Sequence, residues 1–235
     1  MWRTAHRSFY YENLDADALP EPRLPVSQTA LLLIDLQQGF IPQQPPPDAP
    51  DAALREYTRW LPFVNRLNNT VLPNVTRLLN ALRPTPAARA IVHTRITSRT
   101  ADGRERSISH ARLGFNNLHF PPGSAPAQFL PQVAPLSDEI VLGKTTDSAL
   151  ASTPLRLILN NLQIRHVIVA GIYTDQCVSC TVRALADENY DVILVEDATA
   201  AATDALHNAE LAILNNIYCQ VLTTEETINH IITNE

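Results

Sequence analysis

The sequence predicts an α/β protein with a three-layer, Rossmann-like fold, in which a parallel β-sheet of about six strands is flanked by helices on both faces. Two observations favour this class. Short, continuous apolar runs recur along the chain, as expected of parallel strands that are buried on both faces. Segments with the apolar period of a helix lie between those runs, so successive strands are joined by long crossovers. We expect residues 1–28 to form an N-terminal arm and residues 29–235 a single domain.

Six apolar runs mark the expected strands. The first, Ala30–Ile34, ends at Asp35. The others occupy residues 90–92, 139–142, 166–170, 192–195 and, more weakly, 218–222. Helical periods appear between them at residues 72–82, 155–162, 177–189 and 203–216. This alternation of strand and helix gives the predicted order of elements along the chain.

The same period predicts which helix faces are buried. In the segment 72–82 the buried face would comprise Leu72, Val75, Leu78, Leu79 and Leu82, and prolines 84 and 86 would end the helix. In the segment 203–216 it would comprise Ala205, Leu206, Ala209, Ala212 and Ile213. Residues of about 40–70 and 96–135 show no such period, so we expect irregular stretches there, with a proline-rich loop at 42–50. Long loops of this kind commonly form lids, pocket walls or subunit contacts.

Composition excludes several classes of protein. The chain has 235 residues, 45% of them hydrophobic, which suits one folded domain. Its 18 basic and 24 acidic residues give a net charge of −6, which disfavours nucleic acids and acidic membranes as partners. No apolar run approaches the roughly 20 residues that span a bilayer, and the first residues do not resemble a secretory signal. Three cysteines without a framework spacing favour a reducing, cytoplasmic location.

Three residues with chemical potential follow three different predicted strands. They are Asp35, Lys144 and Cys177, and the carboxyl ends of parallel strands share one edge of the sheet, where ligands bind. Each has an ordinary alternative role, as a helix cap, a solvated charge or core packing, respectively. Together, however, they supply a nucleophile, a base and a cation. Cys177 also opens the predicted helix at 177–189, whose N-terminus would lower the pKa of its thiol.

Three segments around these residues resemble the signature segments of the isochorismatase-like cysteine hydrolases. They are ALLLIDLQQGF at 30–40, GKTTDSA at 143–149 and GIYTDQCV at 171–178, in the order and spacing of that family. The resemblance covers about residues 28–225. It implies a parallel sheet with helices on both faces and a catalytic triad of Asp35, Lys144 and Cys177.

The resemblance also implies further features of the site. A cis peptide bond would fall at Ile172–Tyr173, and the backbone N–H groups of Tyr173 and Cys177 would form the oxyanion hole. Gln37 and Phe40 follow Asp35 closely enough to line the pocket. Arg95 leaves the second strand toward the same edge and is a candidate for binding a substrate carboxylate, with an ordinary surface ion pair as the alternative.

The family's branches narrow the expected chemistry. True isochorismatases do not have the cysteine at this position, and nicotinamidases carry an Asp-x-His and a further His as a metal site. Here His93, His110 and His119 are too scattered for such a site, so we expect no metal and no other cofactor. The remaining branch cleaves a C–N bond of a small non-peptide amide or ureido compound through a cysteine thioester.

Two other functions remain open. Cys177 and Cys180 form a CxxC pair at a predicted helix start, as in thiol–disulfide redox proteins. A non-catalytic binding protein could also retain this fold. In either case the N-terminal arm and the proline-rich loop could serve subunit contacts, and we expect a homo-oligomer, a dimer or a tetramer.

Overall fold

The central sheet has six parallel strands, as the sequence predicts. The computed structural model describes residues 6–14, 21–85, 90–114 and 116–232. The strands are β1 (Thr29–Ile34), β2 (Ala90–Ile96), β3 (Ile140–Lys144), β4 (His166–Ile172), β5 (Asp191–Ala200) and β6 (Gln220–Leu222). They lie in the order β3-β2-β1-β4-β5-β6. The order reverses between β1 and β4, and in open sheets of this kind the crevice beyond that point is the ligand site.

Helices cover both faces of the sheet, which confirms the predicted three-layer class. They are α1 (Asp51–Arg66), α2 (Leu72–Leu82), α3 (Ala149–Ser152), α4 (Leu155–Asn161), α5 (Ser179–Asp187), α6 (Asp204–Leu214) and α7 (Thr224–His230). Helices α1, α2 and α7 pack on the face that carries Leu31 and Leu33, and α3 to α6 pack on the face that carries Leu32 and Ile34. No helix among the described residues combines the length and apolarity needed to cross a membrane.

Helix α1 corrects the expectation of an irregular stretch at 40–70. It has 16 residues and contains Pro62, and a π-helical turn at Leu67–Val71 joins it to α2. Proline normally breaks a helix because it lacks an N–H and leaves a carbonyl without its donor. Pro62 lies on the exposed face of α1, where water can satisfy that carbonyl. Helix α2 has the predicted bounds and buries all five predicted apolar side chains; Pro86 lies outside the described residues.

The buried face that the sequence period predicts for helix α6 is wrong. It buries His207, Leu211 and Leu214, whereas Leu206 and Ile213 of the predicted stripe are about half exposed, at 47% and 50%. A period count treats histidine as polar and places it outside. Here His207 finds hydrogen-bond partners in the interior, so its burial is not costly.

The predicted homo-oligomer stays a prediction.

The N-terminal arm is only partly described. Residues 1–5 and 15–20 lie outside the described residues. Within the predicted arm, Leu24 and Val26 are buried against the α1–α2 face of the sheet. Leu24–Pro25 pairs in parallel with Ile231–Ile232 near the other end of the chain. The last part of this segment therefore contributes to the core of the domain.

Gly171 allows the ends of β1 and β4 to approach closely. It pairs with Ile34, the last residue of β1, and has a φ of +124°. A Cβ atom at this position would lie 2.1 Å from the carbonyl oxygen of Ile34 and 2.6 Å from its nitrogen. Only glycine fits this contact, and the contact sets the separation between Asp35 and the turn that carries Cys177.

We expect the substitution Gly171→Ala to be strongly destabilising. Gly123→Ala is the matched control, because Gly123 also has a positive φ of +76° but has no atom within 4 Å of an added Cβ. Both variants have an unfavourable backbone conformation, and only Gly171→Ala adds a clash with backbone. Urea denaturation should show a loss at least about 2 kcal/mol larger for Gly171→Ala. Equal losses would mean that the close approach of β1 and β4 is not required.

Candidate active site

Lys144 is a fully buried ammonium group at the centre of the candidate site. Its side chain is 0% exposed. Nζ lies 2.7 Å from Oδ2 of Asp35, and it donates hydrogen bonds to Sγ of Cys177 at 3.2 Å and to the carbonyl oxygen of Thr146 at 3.0 Å. Nζ therefore makes one ion pair and two hydrogen bonds. The structure therefore brings Asp35, Lys144 and Cys177 into mutual contact, as expected.

The sheet topology explains why a lysine can fill this position. Lys144 ends β3 and Asp35 follows β1, and the two strands are separated by β2. Neighbouring strands are about 4.8 Å apart, so the side chains must bridge about 10 Å. A lysine and an aspartate side chain together span that distance. Lys144 also stays charged, because burial alone would lower its pKa but the nearby Asp35 and Cys177 outweigh burial and raise it.

Asp35 is fixed by its backbone as well as by its carboxylate. Its side chain is 1% exposed, and its φ of +53° lies in the left-handed region, which is uncommon for residues other than glycine. Its N–H donates to the carbonyl of Thr94 at 3.0 Å, and the hydroxyl of Thr94 lies 3.5 Å from Oδ1. These contacts with β2 hold Asp35 at the end of β1, where its carboxylate pairs with Lys144.

Cys177 lies in a π-helical turn, Thr174–Val178, that directly precedes α5. The predicted helix start at Cys177 therefore falls inside this turn rather than at the first residue of an α-helix. The cis peptide bond implied by the resemblance is present at Ile172–Tyr173. The N–H groups of Gln176 and Val178 both donate to the carbonyl of Tyr173. An oxyanion hole formed by the Tyr173 and Cys177 amides stays a prediction.

The thiol of Cys177 differs from the expectation of a low pKa. Burial, followed by the negative charge of Asp35, raises the pKa of Cys177 well above its usual value; Lys144 lowers it and Asp147 raises it further. Cys177 is therefore a neutral thiol at rest, beside an ion pair of Asp35 and Lys144.

Asp147 and His110 also belong to this site, and the sequence analysis missed both roles. Sγ of Cys177 donates to Oδ1 of Asp147 at 3.6 Å. The same oxygen lies 2.8 Å from Nε2 of His110, whose side chain is 0% exposed. The hydrogen bond from His110 lowers the pKa of Asp147, so Asp147 is a carboxylate. The two residues lie 37 positions apart in sequence, and no spacing rule connects them.

A second buried histidine supports the turn that carries Cys177. Nδ1 of His207 lies 2.8 Å from the hydroxyl of Thr174, and Nε2 lies 2.7 Å from Nη2 of Arg66. Arg66 also donates to the carbonyls of Thr199 and Glu196. Because a guanidinium only donates, Nε2 of His207 is the acceptor and Nδ1 carries the proton. Burial, reinforced by the positive charge of Arg66, lowers the pKa of His207 to about 3.

Gln37 and Arg95 are occupied by contacts within the protein. Gln37 is 0% exposed; its amide donates to the carbonyls of Ile96 and Pro126 and accepts from the N–H of Ile96. Its described contacts tie loops to β2 and leave no surface for a substrate. Arg95 donates to the carbonyl of Ala127 and lies over the ring of Phe129. These contacts are not with the triad, so carboxylate binding by Arg95 stays an untested expectation.

Phe40 joins an aromatic cluster beside the turn that carries Cys177. Its ring packs edge-on against Phe120 and Tyr173, with centroid distances of 5.5 and 5.7 Å. The hydroxyl of Tyr173 donates to the carbonyl of Phe40. Phe40 is partly buried, and the arrangement fits either a pocket wall or support for Tyr173.

The contacts of the cysteines and histidines bear on a redox role and on metal binding. All three cysteines are free thiols, and Cys180 is exposed whereas Cys177 is buried. The sulfur of Cys177 contacts Lys144 and Asp147. His93 contacts Glu139, and His119 contacts the carbonyl of Ala101. Within the described ranges, no three His, Cys, Asp or Glu side chains converge as a metal site requires.

Comparison with known proteins identifies the family. Residues 29–226 match the Isochorismatase domain. The chain belongs to the isochorismatase family. Among curated relatives, the uncharacterized isochorismatase family protein YrdC of Bacillus subtilis (strain 168) is 32% identical over 43% of this chain and 59% of its own length. The ureidoacrylate amidohydrolase RutB of Klebsiella pneumoniae (strain 342) is 39% identical over 38% of this chain and 37% of its own length.

Solved structures of the isochorismatase family share the fold. The cysteine hydrolase from Pseudomonas syringae pv. phaseolicola 1448A superposes with a TM-score of 0.72 at 20% identity, over 91% of this chain and 97% of that one. At this identity the likeness concerns the fold alone. The curated matches to YrdC and RutB span 59% and 37% of the length of those relatives.

We expect the charges around Cys177 to shift its titration in opposite directions. Lys144→Met should raise the pKa of the thiol, because it removes the neighbouring cation, and Asp35→Asn should lower it, because it removes the carboxylate with the larger effect on the thiol. The measurement is the rate of iodoacetamide labelling at Cys177 against pH, with peptide mapping to separate Cys177 from Cys180. The double variant with both Asp35→Asn and Lys144→Met, which leaves neither partner of the buried ion pair without the other, is the control for misfolding. Shifts in the same direction would contradict the proposed electrostatics.

The low pKa of His207 predicts a pH-dependent contribution to stability. The folded protein keeps His207 neutral, whereas the unfolded chain binds a proton below about pH 6.5. The contribution is therefore complete above pH 6.5 and is lost as the pH falls toward the folded value of about 3. The stability advantage of wild type over His207→Gln should shrink by about 2 kcal/mol between pH 7 and pH 5. A constant difference in the free energy of unfolding would show that His207 titrates normally.

Proposed function

We propose that this member of the isochorismatase family is a hydrolase that cleaves the C–N bond of a small, non-peptide amide or ureido compound through a thioester on Cys177. The observation that carries the proposal is the set of contacts from Lys144 to Asp35 at 2.7 Å and to the sulfur of Cys177 at 3.2 Å. Packing alone does not require a buried ammonium, a carboxylate and a thiol in contact. Such an arrangement can activate a nucleophile.

The first half-reaction begins from the neutral thiol. As sulfur attacks the carbonyl carbon, its proton passes to Asp35, and Lys144 stabilises the developing negative charge. The backbone N–H groups of Tyr173 and Cys177 are the proposed donors to the carbonyl oxygen as it becomes an oxyanion. The C–N bond then breaks, and Asp35 returns the proton to the departing nitrogen. Ammonia or an amine leaves, and the acyl group remains on sulfur.

The second half-reaction restores the enzyme. Asp35, now a carboxylate again, takes a proton from water while the water oxygen attacks the thioester carbonyl. The C–S bond breaks, and Cys177 regains a proton from Asp35. Asp35 therefore moves a proton in both half-reactions, whereas Lys144 stays charged throughout.

The similarity to RutB supports the amide or ureido class. That relative carries the name ureidoacrylate amidohydrolase, and its matched region is the most similar of the relatives cited above. The presence of Cys177 disfavours the cleavage of a vinyl ether. A redox role is less well supported, because the described contacts of Cys177 are with charged groups and Cys180 is exposed. A non-catalytic protein would have no use for the buried triad.

The direct test is ammonia release from a panel of ureido acids, biuret, nicotinamide and simple carboxamides. Wild type should hydrolyse at least one ureido or carboxamide compound, and Cys177→Ala should abolish the turnover while the circular dichroism spectrum is unchanged. Cys180→Ser is the matched control: a hydrolase that uses Cys177 alone retains activity, whereas a dithiol redox protein loses function. Activity should also survive EDTA. Turnover by Cys177→Ala would exclude the cysteine mechanism.

A further inference from the structure

The nucleophile lies between two carboxylates that have different surroundings. Asp35 is 1% exposed and is paired with Lys144. Asp147 is paired with the buried His110, and 37% of its side chain is exposed. Cys177 itself is 4% exposed. A compound that approaches the sulfur of Cys177 from solvent therefore meets Asp147, and not Asp35, as the accessible carboxylate of the site.

His110 is held in a fixed orientation by its own loop. Its carbonyl accepts hydrogen bonds from Arg106 and from the N–H of Leu118, and its N–H donates to the hydroxyl of Ser107. Ser107 in turn donates its N–H to the carbonyl of Thr145, next to Lys144. These contacts connect the loop to the end of β3. They orient Nε2 of His110 toward Oδ1 of Asp147.

The hydrogen-bonding capacity of Asp147 is not exhausted by His110 and Cys177. A carboxylate has about four lone-pair positions, and both contacts described for Asp147 fall on Oδ1. The carboxylate only accepts hydrogen bonds, and its charge repels other carboxylates. It therefore distinguishes groups that carry N–H from groups that carry negative charge.

We propose that Asp147, positioned by His110, is the specificity residue that accepts a hydrogen bond from an N–H group next to the carbonyl attacked by Cys177 and rejects an anionic group there. The inference rests on the proposed function and narrows its substrate class. The group next to the attacked carbonyl must be an uncharged nitrogen with at least one hydrogen, as in a primary carboxamide or a ureido group. A substrate carboxylate must lie at the other end of the molecule.

The test uses two alkylating probes that differ only in the group bonded to their carbonyl carbon. Iodoacetamide carries a carboxamide N–H₂, and iodoacetate carries a carboxylate in the same place. Both react with the same thiolate, so the ratio of their rates at Cys177 cancels any change in the pKa of the thiol. In Asp147→Asn the ratio of iodoacetamide to iodoacetate rates should fall about 10-fold, because the repelling charge is lost and the remaining amide oxygen is a weaker, uncharged acceptor.

The control variants separate recognition from simple loss of charge. Glu188→Gln removes the same charge at the far end of α5, where Glu188 pairs with Arg156, and should leave the ratio within about twofold of wild type. His110→Gln keeps an N–H donor for Asp147 and should preserve most of the ratio, whereas His110→Leu should lower it. A structural role for His110 alone would change both rates equally and leave the ratio constant. An Asp147→Asn ratio within about threefold of wild type would overturn the inference.

A turnover experiment distinguishes this inference from the proposed function. For any carboxamide that wild type hydrolyses, the methyl ester of the same acid forms the same thioester and lacks the N–H. Asp147→Asn should lower the ratio of amide to ester kcat/KM, and an unchanged ratio would overturn the inference. If wild type hydrolyses no compound in the panel, the proposed function fails, while the two alkylation rates still decide whether Asp147 recognises an N–H group.

Discussion

The site depends on the burial of one ammonium group, Lys144. A charged group without partners is very costly in a protein interior, and a lone ion would lose its proton instead. Lys144 remains charged because its three N–H groups contact Asp35, the carbonyl of Thr146 and Cys177. These acceptors come from the ends of three different segments of the fold. The groups that follow β1, β3 and β4 therefore meet at this one cation, although β2 lies between β1 and β3.

The surroundings of Lys144 also bear on the protonation state of Cys177. Burial, followed by the negative charge of Asp35, raises the pKa of Cys177, and the positive charge of Lys144 does not outweigh them. The result is a neutral thiol and an adjacent ion pair. In the proposed mechanism, proton transfer to Asp35 then accompanies the attack on the carbonyl rather than preceding it. Such a thiol is less exposed to adventitious oxidation, since the thiolate is the reactive form.

Much of the fold and the triad could be predicted from the sequence because the signals were local. A parallel strand buried on both faces needs a continuous apolar run, as in β1 and β4, and Asp35, Lys144 and Cys177 each lie at or just beyond a strand end. The errors have physical causes. Pro62 is tolerated in α1 because it is exposed, and His207 replaces an apolar residue in the buried face of α6 because Thr174 and Arg66 satisfy its ring.

The contacts between distant loops could not be predicted in this way. The pairing of His110 with Asp147 depends on how the irregular segment between β2 and β3 folds back to the end of β3. The pKa of Cys177 depends on its burial and on three neighbouring charges at once, whereas a helix N-terminus is visible in the sequence. Gln37 follows Asp35 as a pocket residue would, yet its amide is used entirely by Ile96 and Pro126.

The central claim, a common thioester on Cys177, can be tested by partitioning. Two substrates that share an acyl group but differ in their leaving group, an amide and the corresponding methyl ester, are hydrolysed in the presence of hydroxylamine, which competes with water for the acyl group. If both form one thioester, the ratio of hydroxamate to free acid is the same for the two substrates at each hydroxylamine concentration. A ratio that depends on the leaving group would contradict a shared acyl-enzyme and the mechanism derived from it.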